Sequence, residues 1–579
     1  MRRSIVLLLS LMLPLVNASG ASAQSPGQQK QVDQGSQWTR DTRGQFYSQD
    51  QGSRLIPLQW MMALKQPDGA PFMADTLSRY GYLKNDETAS AGLPVGFTTN
   101  TDNKGTVHLG MNCAACHTRQ IEVGGISYRL DGGPAIADFQ SFLTDLHRAV
   151  QTVLTDAAAF QTFAAAVLGG APDQQQALQL RGAVMVWFTP FDTIIRGSLP
   201  TPAWGPSRLD AVAMIFNRLS GLDIGDPGAG YMIPKNIQVA DAPARYPFIW
   251  NASVQNRTQW PGFAPNGDDL LAMVRNTGEV LGVFGHFHPT KDALGLPHYE
   301  DNSVNIDGLL ALETLIGKIG RPAFQWPVDA ALAKRGEAVF NWSIEQGSGC
   351  ESCHGKHITA RGLGRATWDT PVQDVGTDTR EWDTLGRMVD TGVLKNTGIP
   401  TLKARDSSVS LLASSVVGII LPHIGKIATY DLDHTMDRGD KDTLEARIAR
   451  IPEQLAAVKW TPSAKGARNM YESRVMEGIW AAAPYLHNGS VPTLADLLLP
   501  ATQRPTAFKI GPQYDPTGKV GLAAEQTKFD YTLHAVCLPK SDPNYQTALN
   551  SGYSNCGHEF GVNLKDEDKR ALLEYLKTL

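Results

Sequence analysis

Two short segments of the sequence share the pattern Cys-x-x-Cys-His, which could hold a metal-containing cofactor. They read CAACH and CESCH, and together they contain four of the six cysteines in the chain. Two thiols spaced in this way can form thioethers with the vinyl groups of a porphyrin, and the His that follows can reach the iron. The pattern therefore predicts two covalently attached haems c. The predicted attachment residues are Cys113, Cys116, Cys350 and Cys353, and the predicted iron ligands are His117 and His354.

The first residues predict the export route that this kind of haem attachment requires. Arg2 and Arg3 precede an apolar stretch over 5–16, and Ala21-Ser22-Ala23 offers a small-residue cleavage site. This order of basic, apolar and small residues is typical of a secretory signal peptide. We therefore expect a signal peptide over 1–23, cleaved after Ala23, and a periplasmic or secreted mature protein.

The composition is that of an ordinary water-soluble protein. Hydrophobic residues make up 42% of the chain and charged residues 19%, and the isoelectric point is near 6.2. The longest apolar stretch, Val409–Leu421, contains three serines and ends at Pro422, which favours a buried helix or strand. We therefore expect neither a nucleic-acid partner nor a membrane span.

The elements around CESCH predict a cytochrome c-like arrangement. Residues 328–342 have the apolar spacing of an amphipathic helix, and 566–579 form a second one with an acidic first turn. A helix before the motif and a closing helix of this kind resemble the terminal helix pair of cytochrome c. The alternative is a pair of surface helices in an unrelated domain. Before Cys113, by contrast, the chain is rich in Gly, Thr and Asn with no obvious helix, which predicts a modified or loop-built pocket.

A chain of 579 residues exceeds what one hydrophobic core usually serves, so we expect separate domains. The tract over 322–327 is punctuated by prolines and is the predicted boundary between the two haem domains. The expected division is an N-terminal extension over 24–100, a first haem domain over 101–321 and a second over 322–579. The expected fold class is mainly α, with two cytochrome c-like haem domains, long loop-rich insertions and little β structure.

Longer motifs carry a family resemblance. CAACH followed by LDGGPAIADF, a second CxxCHG and APYLHNGSVPTLADLLLP together resemble the bacterial di-haem cytochrome c peroxidase superfamily. The tracts DQGSRLIPLQW, GLPVGF, QRPTAFKIG and GHEFGVNL are more similar to its rubber-oxygenase-like branch. The resemblance implies a division of labour, with a catalytic first haem open to dioxygen or peroxide and a six-coordinate second haem that transfers electrons.

The resemblance also implies a sixth ligand for the second haem. The rubber-oxygenase-like branch uses a His near the C-terminus, which matches His558, and Cys537 and Cys556 could close a disulfide around that segment in an exported protein. Closing a loop of about 20 residues would stabilise the fold by roughly 3 kcal/mol. The alternative is that the disulfide only fastens a surface loop. His487 is expected to line the haem pocket, and the competing ligands are Met388, Met436, Met470 and Met476.

For the first haem, the sequence offers no compelling sixth ligand. His108, His286 and His288 are interpreted as structural residues. The tract over 246–267 resembles the distal segment of the branch, where aromatic side chains cover the open haem face, and the candidates are Trp250, Trp260 and Phe263. Glu279 is the candidate acid-base carboxylate, with a salt-bridged helix residue as the alternative.

Three functions remain open at this level. An oxygenase would use dioxygen to cleave an apolar substrate, and it predicts an apolar, aromatic distal pocket. A peroxidase would take electrons from a small redox protein or a small-molecule donor and pass them to H2O2, and it predicts a distal carboxylate or amide. A pure electron carrier would have a protein ligand on both faces of each iron.

Overall fold

The structure is a computed structural model that describes residues 29–87, 92–360, 366–398, 401–436, 470–526 and 528–579. The predicted signal peptide lies outside these residues, and so does the side chain of Met436. Helices dominate the described part of the chain, which confirms a mainly α fold with little β structure. The described helices span Arg40–Ser48, Leu58–Ala63, Cys113–Cys116, Phe139–Thr155, Ala157–Leu168, Gln174–Ser198, Ala211–Arg218, Asp269–Gly282, Ile306–Lys318, Ala330–Phe340, Cys350–His354, Arg380–Leu385, Ser408–Ile420, Ile424–Met436, Leu494–Leu497, Tyr545–Leu549 and Asp566–Thr578.

Aspartate side chains cap the starts of several of the long helices. Asp138, Asp268 and Asp329 each accept a hydrogen bond from the backbone N–H three residues later. Such a cap satisfies a backbone donor that has no partner within the helix, and it typically stabilises a helix by about 1 kcal/mol. Local sequence therefore fixes where these helices begin.

The predicted helix pair around the second motif is present. Ala330–Phe340 packs along Asp566–Thr578 so closely that a Cβ at Gly336 would overlap the carbonyl oxygen of Ala571. The rings of Phe340 and Tyr575 lie 5.4 Å apart in the same contact. A glycine at this crossing allows the two helix backbones to touch.

The segment before the first motif is a β-hairpin rather than a loop, contrary to the sequence prediction. Strands Phe97–Thr101 and Val107–Met111 pair antiparallel, and Cys113 follows directly. Gly96 has a positive φ of 74°, and a Cβ there would overlap the backbone nitrogen of Ala115. The glycines and threonines that suggested a loop thus serve a hairpin that packs closely on the motif.

The other strands are short. After the first motif, Thr118–Val123 pairs antiparallel with Ile126–Asp131, which pairs parallel with Gln29–Gln31. The remaining described strands of three or more residues span His357–Ala360, Ala366–Asp369, Met388–Asp390, Arg405–Ser407, Ala507–Ile510 and Phe529–Thr532. The motif at Cys113 therefore lies between two small sheets.

Two buried hydrophobic clusters form the core. The larger one draws on residues from Val32 to Leu576 and so includes side chains from both sides of Pro322. The smaller one joins Leu55 to Phe284 and holds the helices that follow Phe139. The division at 322 stays a prediction about domains, while the buried side chains form a continuous core across it.

One apolar helical stretch, Ser408–Tyr430, is long and apolar enough to cross a membrane by composition. Of its most apolar window, 61% is buried inside the protein. Val409–Leu421 had been predicted as a buried helix or strand, and it forms a helix over Ser408–Ile420 with Leu411 and Val416 in the core. Burial of this kind is typical of a core helix.

Candidate haem sites

The CESCH motif opens onto a large cavity. The short helix Cys350–His354 follows Gly349, whose left-handed conformation turns the chain into the motif. Cys350 and Cys353 are unpaired, and both line a cavity with about 1250 Å³ of space between atoms, part of it open to solvent. Two free thiols on one turn of helix beside such a space are the arrangement that thioether attachment requires.

His354 is oriented by a backbone carbonyl. Its Nδ1 lies 2.6 Å from the carbonyl oxygen of Arg474 and donates a hydrogen bond to it. The lone pair of Nε2 therefore remains available to bind a metal. Burial lowers the pKa of this imidazole, which favours the neutral form. A neutral His whose second nitrogen is hydrogen-bonded to a carbonyl is the usual state of a metal-ligating His.

His558 faces His354 across the cavity. The two ring centroids are 6.1 Å apart, with ring planes tilted by 44°. Metal–imidazole bonds are about 2 Å long, so two imidazoles on opposite sides of one ion would have centroids about 6 Å apart. The Nδ1 of His558 is buried without a hydrogen-bond partner among the described residues. Burial, with the nearby His354 and Arg504, lowers the pKa of His558 to about 3.

The loop that carries His558 is fastened at several points. Cys537 and Cys556 form a disulfide with Cα atoms 4.8 Å apart. Arg504 donates hydrogen bonds to the carbonyl oxygens of Asn555 and Gly557, at 2.7 and 2.8 Å, and to that of His558. His558 itself has a left-handed φ of 50°, a conformation that non-glycine residues seldom adopt. These contacts hold the imidazole in place.

Most of the rest of the cavity wall is apolar, and its charged side chains are two buried arginines and Glu472. Arg245 and Arg474 line the space, and the Nε of Arg474 has no hydrogen-bond partner among the described residues. Guanidinium groups suit the two propionates that a haem carries. The apolar wall residues include Phe248, Phe340, Ile479, Leu494, Leu497, Leu498, Phe560, Leu572 and Leu576. Thiols, facing imidazoles, apolar walls and arginines together fit a haem c.

His487 lines this cavity as well. Its ring stacks on Tyr471, with centroids 4.0 Å apart and planes 18° from parallel. Burial and the charge of Arg245 lower the pKa of His487 to about 3, so it is neutral at ordinary pH. Of the methionines weighed as ligands, Met476 lines the cavity, while Met388 is 45% exposed on a strand.

The CAACH motif is positioned by the side chain of Asn112 and by backbone carbonyls of two other segments. The side chain of Asn112 caps the helix Cys113–Cys116 at Ala114, and its amide donates to the carbonyl oxygen of Phe46 at 2.9 Å. The Nδ1 of His117 donates to the carbonyl oxygen of Pro247 at 2.8 Å. Burial lowers the pKa of His117 to about 4. His117 therefore has the same orientation and protonation as His354.

A smaller cavity, with about 390 Å³ of space between atoms, is not lined by Cys113, Cys116 or His117 themselves, but two of its lining residues, Glu279 and Arg275, are close enough to interact electrostatically with this motif. Glu279 lines it and lies close enough to Cys113 and Cys116 to contribute to the raised pKa of each thiol. The other lining residues are Val212, Ile215, Phe216, Gln259, Phe263, Ala264, Val274, Arg275, Gly278 and Leu412. Among these described residues there is no His and no Met.

Glu279 is a buried carboxyl with a specific partner. Burial is the main cause that raises its pKa, and the Nε2 of Gln259 donates to its Oε1 at 3.1 Å. Arg275 forms an ion pair with Glu313 at 2.6 Å, and its charge also acts on Glu279, lowering the pKa of that carboxyl against the larger effect of burial. A buried carboxyl of this kind can hold a proton and release it to a bound molecule.

The structure separates the three aromatic residues predicted to cover the first haem. Phe263 lines the smaller cavity, but Trp260 lines the larger one beside His354. Trp250 stacks on Phe248 at 4.7 Å, and its Nε1 donates to the carbonyl oxygen of Glu477. Trp260 packs over buried Arg245 and Arg474, with guanidinium carbons 4.8 and 5.8 Å from the ring centroid. The role of all three aromatic residues in covering the first haem stays a prediction.

His108, His286 and His288 line neither cavity. The Nε2 of His108 is 3.1 Å from a carboxylate oxygen of Asp102 on the hairpin. His286 and His288 are near the surface beside Asp301. The sequence also gave no reason to select Arg245, Arg474 or Arg275, because an isolated arginine carries no local pattern. Their arrangement follows from long-range packing.

The comparisons with known proteins agree with a cytochrome. Residues 470–509 match the family described as RoxA-like, cytochrome c-like. Uncharacterized protein y4iJ of Sinorhizobium fredii is similar, with 28% identity over 94% of this chain and 92% of y4iJ. Uncharacterized protein y4iM of the same organism is 27% identical over 51% of each chain. The match at 470–509 supports a likeness to rubber-oxygenase-like cytochromes c, and with it haem c, oxidoreductase chemistry and export.

Proposed function

We propose that this protein is an exported di-haem c-type cytochrome that acts as an oxidoreductase. Cys113, Cys116 and His117 would hold a catalytic haem, which would supply the chemistry with O2 or H2O2. Cys350, Cys353, His354 and His558 would hold a second haem, which would supply electron transfer. The observation that supports this most directly is the contrast between the two cavities. An imidazole faces His354, whereas the described lining of the cavity near His117 includes a carboxyl and an amide but neither His nor Met.

The chemistry divides between cofactor and protein. A bound haem would supply an iron that exchanges electrons with the oxidant. Glu279, whose pKa burial raises, would exchange a proton between its carboxyl and an oxygen atom of the oxidant. Gln259 fixes the orientation of that carboxyl through its hydrogen bond to Oε1. The apolar side chains around them exclude water, which strengthens these interactions.

Of the two oxidants, the side chains that line the smaller cavity favour H2O2. A peroxidase requires a distal acid-base group, and Glu279 with Gln259 supplies a carboxyl and an amide side by side. An oxygenase acting on an apolar substrate is the second candidate. The match of 470–509 to a RoxA-like family supports it, and so does Phe263 in the cavity wall.

The test is a spectrum of the purified holoprotein, reduced, with and without carbon monoxide. We expect carbon monoxide to bind one of two haems, since only an iron with an open axial position can accept it. Binding at neither haem would leave the pure electron carrier, with both irons six-coordinate, as the remaining function. Steady-state assays with H2O2 plus a reduced donor, and with polyisoprene plus O2, then separate the peroxidase from the oxygenase.

A further inference from the structure

A separate group of metal-binding side chains lies at the surface, away from both cavities. Nitrogen atoms of His286 and His288 and a carboxylate oxygen of Asp301 all lie within 4.8 Å of one another. None of the three lines the cavity near His117 or the cavity at His354. Imidazole nitrogen and carboxylate oxygen are the ligands with which proteins bind zinc and other divalent transition metals.

Backbone pairing explains why these residues meet. Phe287 and Asn302 form an antiparallel bridge. On one side of it, the N–H of His288 donates to the carbonyl oxygen of Asp301 at 2.8 Å, and on the other side His286 makes the next backbone hydrogen bond between the two segments. Side chains alternate along a strand, so His286 and His288 share the face opposite buried Phe287. Asp301 is paired directly with His288 and therefore projects on the same face.

Contacts with each other and with a neighbouring ring fix the positions of these side chains in part. The Nε2 of His286 lies 2.8 Å from an oxygen of Asp301, and the ring of His288 stacks on Tyr231 with centroids 3.8 Å apart and planes 6° from parallel. The His286 side chain is 32% exposed and that of Asp301 60%. An ion can therefore enter from solvent and keep water in its remaining positions.

Nearby positive charge limits how tightly a cation can bind. Arg54 and Arg218 are close enough to interact electrostatically with Asp301 and His288, respectively. Repulsion from these guanidinium groups weakens the site relative to a closed structural zinc site. Two imidazoles among three ligands also disfavour calcium and magnesium, which select oxygen ligands.

We propose that His286, His288 and Asp301 form an exchangeable surface site for a divalent transition-metal ion of the zinc and copper class. The ion would join the segment at His286 to the segment at Asp301 through bonds that the hairpin already positions. This site is independent of the proposed haem chemistry, because its residues belong to neither cavity.

The experiment is calorimetric titration of Zn²⁺ into the untagged holoprotein. We expect one ion per chain, and at least a tenfold loss of affinity in His288→Ala, because loss of even an outer partner of a metal ligand costs about 10–100-fold. His298→Ala is the matched control. His298 is exposed on the adjacent strand Pro297–His298 and lies outside the group, so its removal should leave the affinity unchanged.

A second measurement on the wild-type protein does not depend on how any variant folds. Electron spin-echo modulation of bound Cu²⁺ should show two imidazole nitrogens as ligands. The proposal is overturned if the wild-type holoprotein binds no stoichiometric Zn²⁺, or if the copper signal shows fewer than two imidazoles. It is equally overturned if His288→Ala, with an unchanged haem spectrum, binds Zn²⁺ as tightly as the wild type.

Discussion

His117 and His354 are held alike, and what surrounds each of them differs. Each imidazole donates from Nδ1 to one backbone carbonyl, of Pro247 at 2.8 Å and of Arg474 at 2.6 Å, and burial lowers the pKa of both. His354 is faced by the imidazole of His558. The cavity near His117 instead contains a carboxyl and an amide. Two sites with the same motif thus differ in the side chains around them, which come from residues far away in the sequence.

This comparison depends most strongly on Glu279. If its proton is used in turnover, Glu279→Gln should lower the rate of peroxide reduction about 10²–10⁴-fold, the usual contribution of a positioned acid-base group. Stopped-flow kinetics with H2O2 would measure the loss. Glu381→Gln is the matched control, because Glu381 is also buried with a raised pKa but lines neither cavity. Equal rates of peroxide reduction in the two variants would show that Glu279 takes no part in the reaction.

The second site can be converted into a copy of the first. His558→Ala should open an axial position, so that carbon monoxide binds two haems per chain instead of one. Optical titration of the reduced protein counts the bound molecules. His487→Phe keeps an aromatic ring stacked on Tyr471, and it should leave the count at one. A count of one in His558→Ala would show that another residue ligates this iron, and Met476 would be the first to examine.

The disulfide tests how firmly the second site is held. Replacing Cys537 and Cys556 with serine releases a loop closed over a separation of 19 residues. We expect the free energy of unfolding to fall by about 3 kcal/mol, measured by denaturant titration. The number of carbon monoxide molecules bound per chain should rise above one only if loss of the disulfide lets His558 move away from its position opposite His354. Unchanged stability would mean that Arg504 and the surrounding contacts suffice to hold the loop.

The smallest effect concerns Glu472 in the wall of the larger cavity. Burial raises the pKa of this carboxyl to about 7, so it is protonated below that pH and charged above it. A negative charge there stabilises the oxidised iron, so the midpoint potential of the second haem should fall as pH rises from 6 to 8. The slope should stay below about 59 mV per pH unit. Redox titration of Glu472→Gln should give a flatter curve, and an identical slope would contradict the assignment.

The sequence predicted the parts of the molecule that local patterns encode. CAACH and CESCH each form a short helix, and the amphipathic segments around the second motif form the closely packed pair at Gly336. Most of the apolar stretch Val409–Leu421 also proved to be buried, with Leu421 at its end exposed. These predictions depend on spacing along one element, which a sequence displays directly.

Features that depend on packing between distant segments were harder to predict. The hairpin before Cys113 was missed because its glycines and threonines suit a loop as well as a strand. The sequence did not indicate that Trp260 lines the larger cavity, because the contact between His117 and Pro247 that positions this segment cannot be deduced from residue types. The arginines in the cavity walls carried no signal at all.

The closure of Ala330–Phe340 by Asp566–Thr578 has a consequence for biogenesis. Leu572 and Leu576 of the final helix line the cavity at His354, so this pocket is incomplete until the last residues of the chain are in place. The buried core also joins residues on both sides of Pro322, as far as Leu576. A premature stop before the final helix should therefore disturb the shared core together with the cavity, and the exported chain must be finished before the pocket at His354 can be.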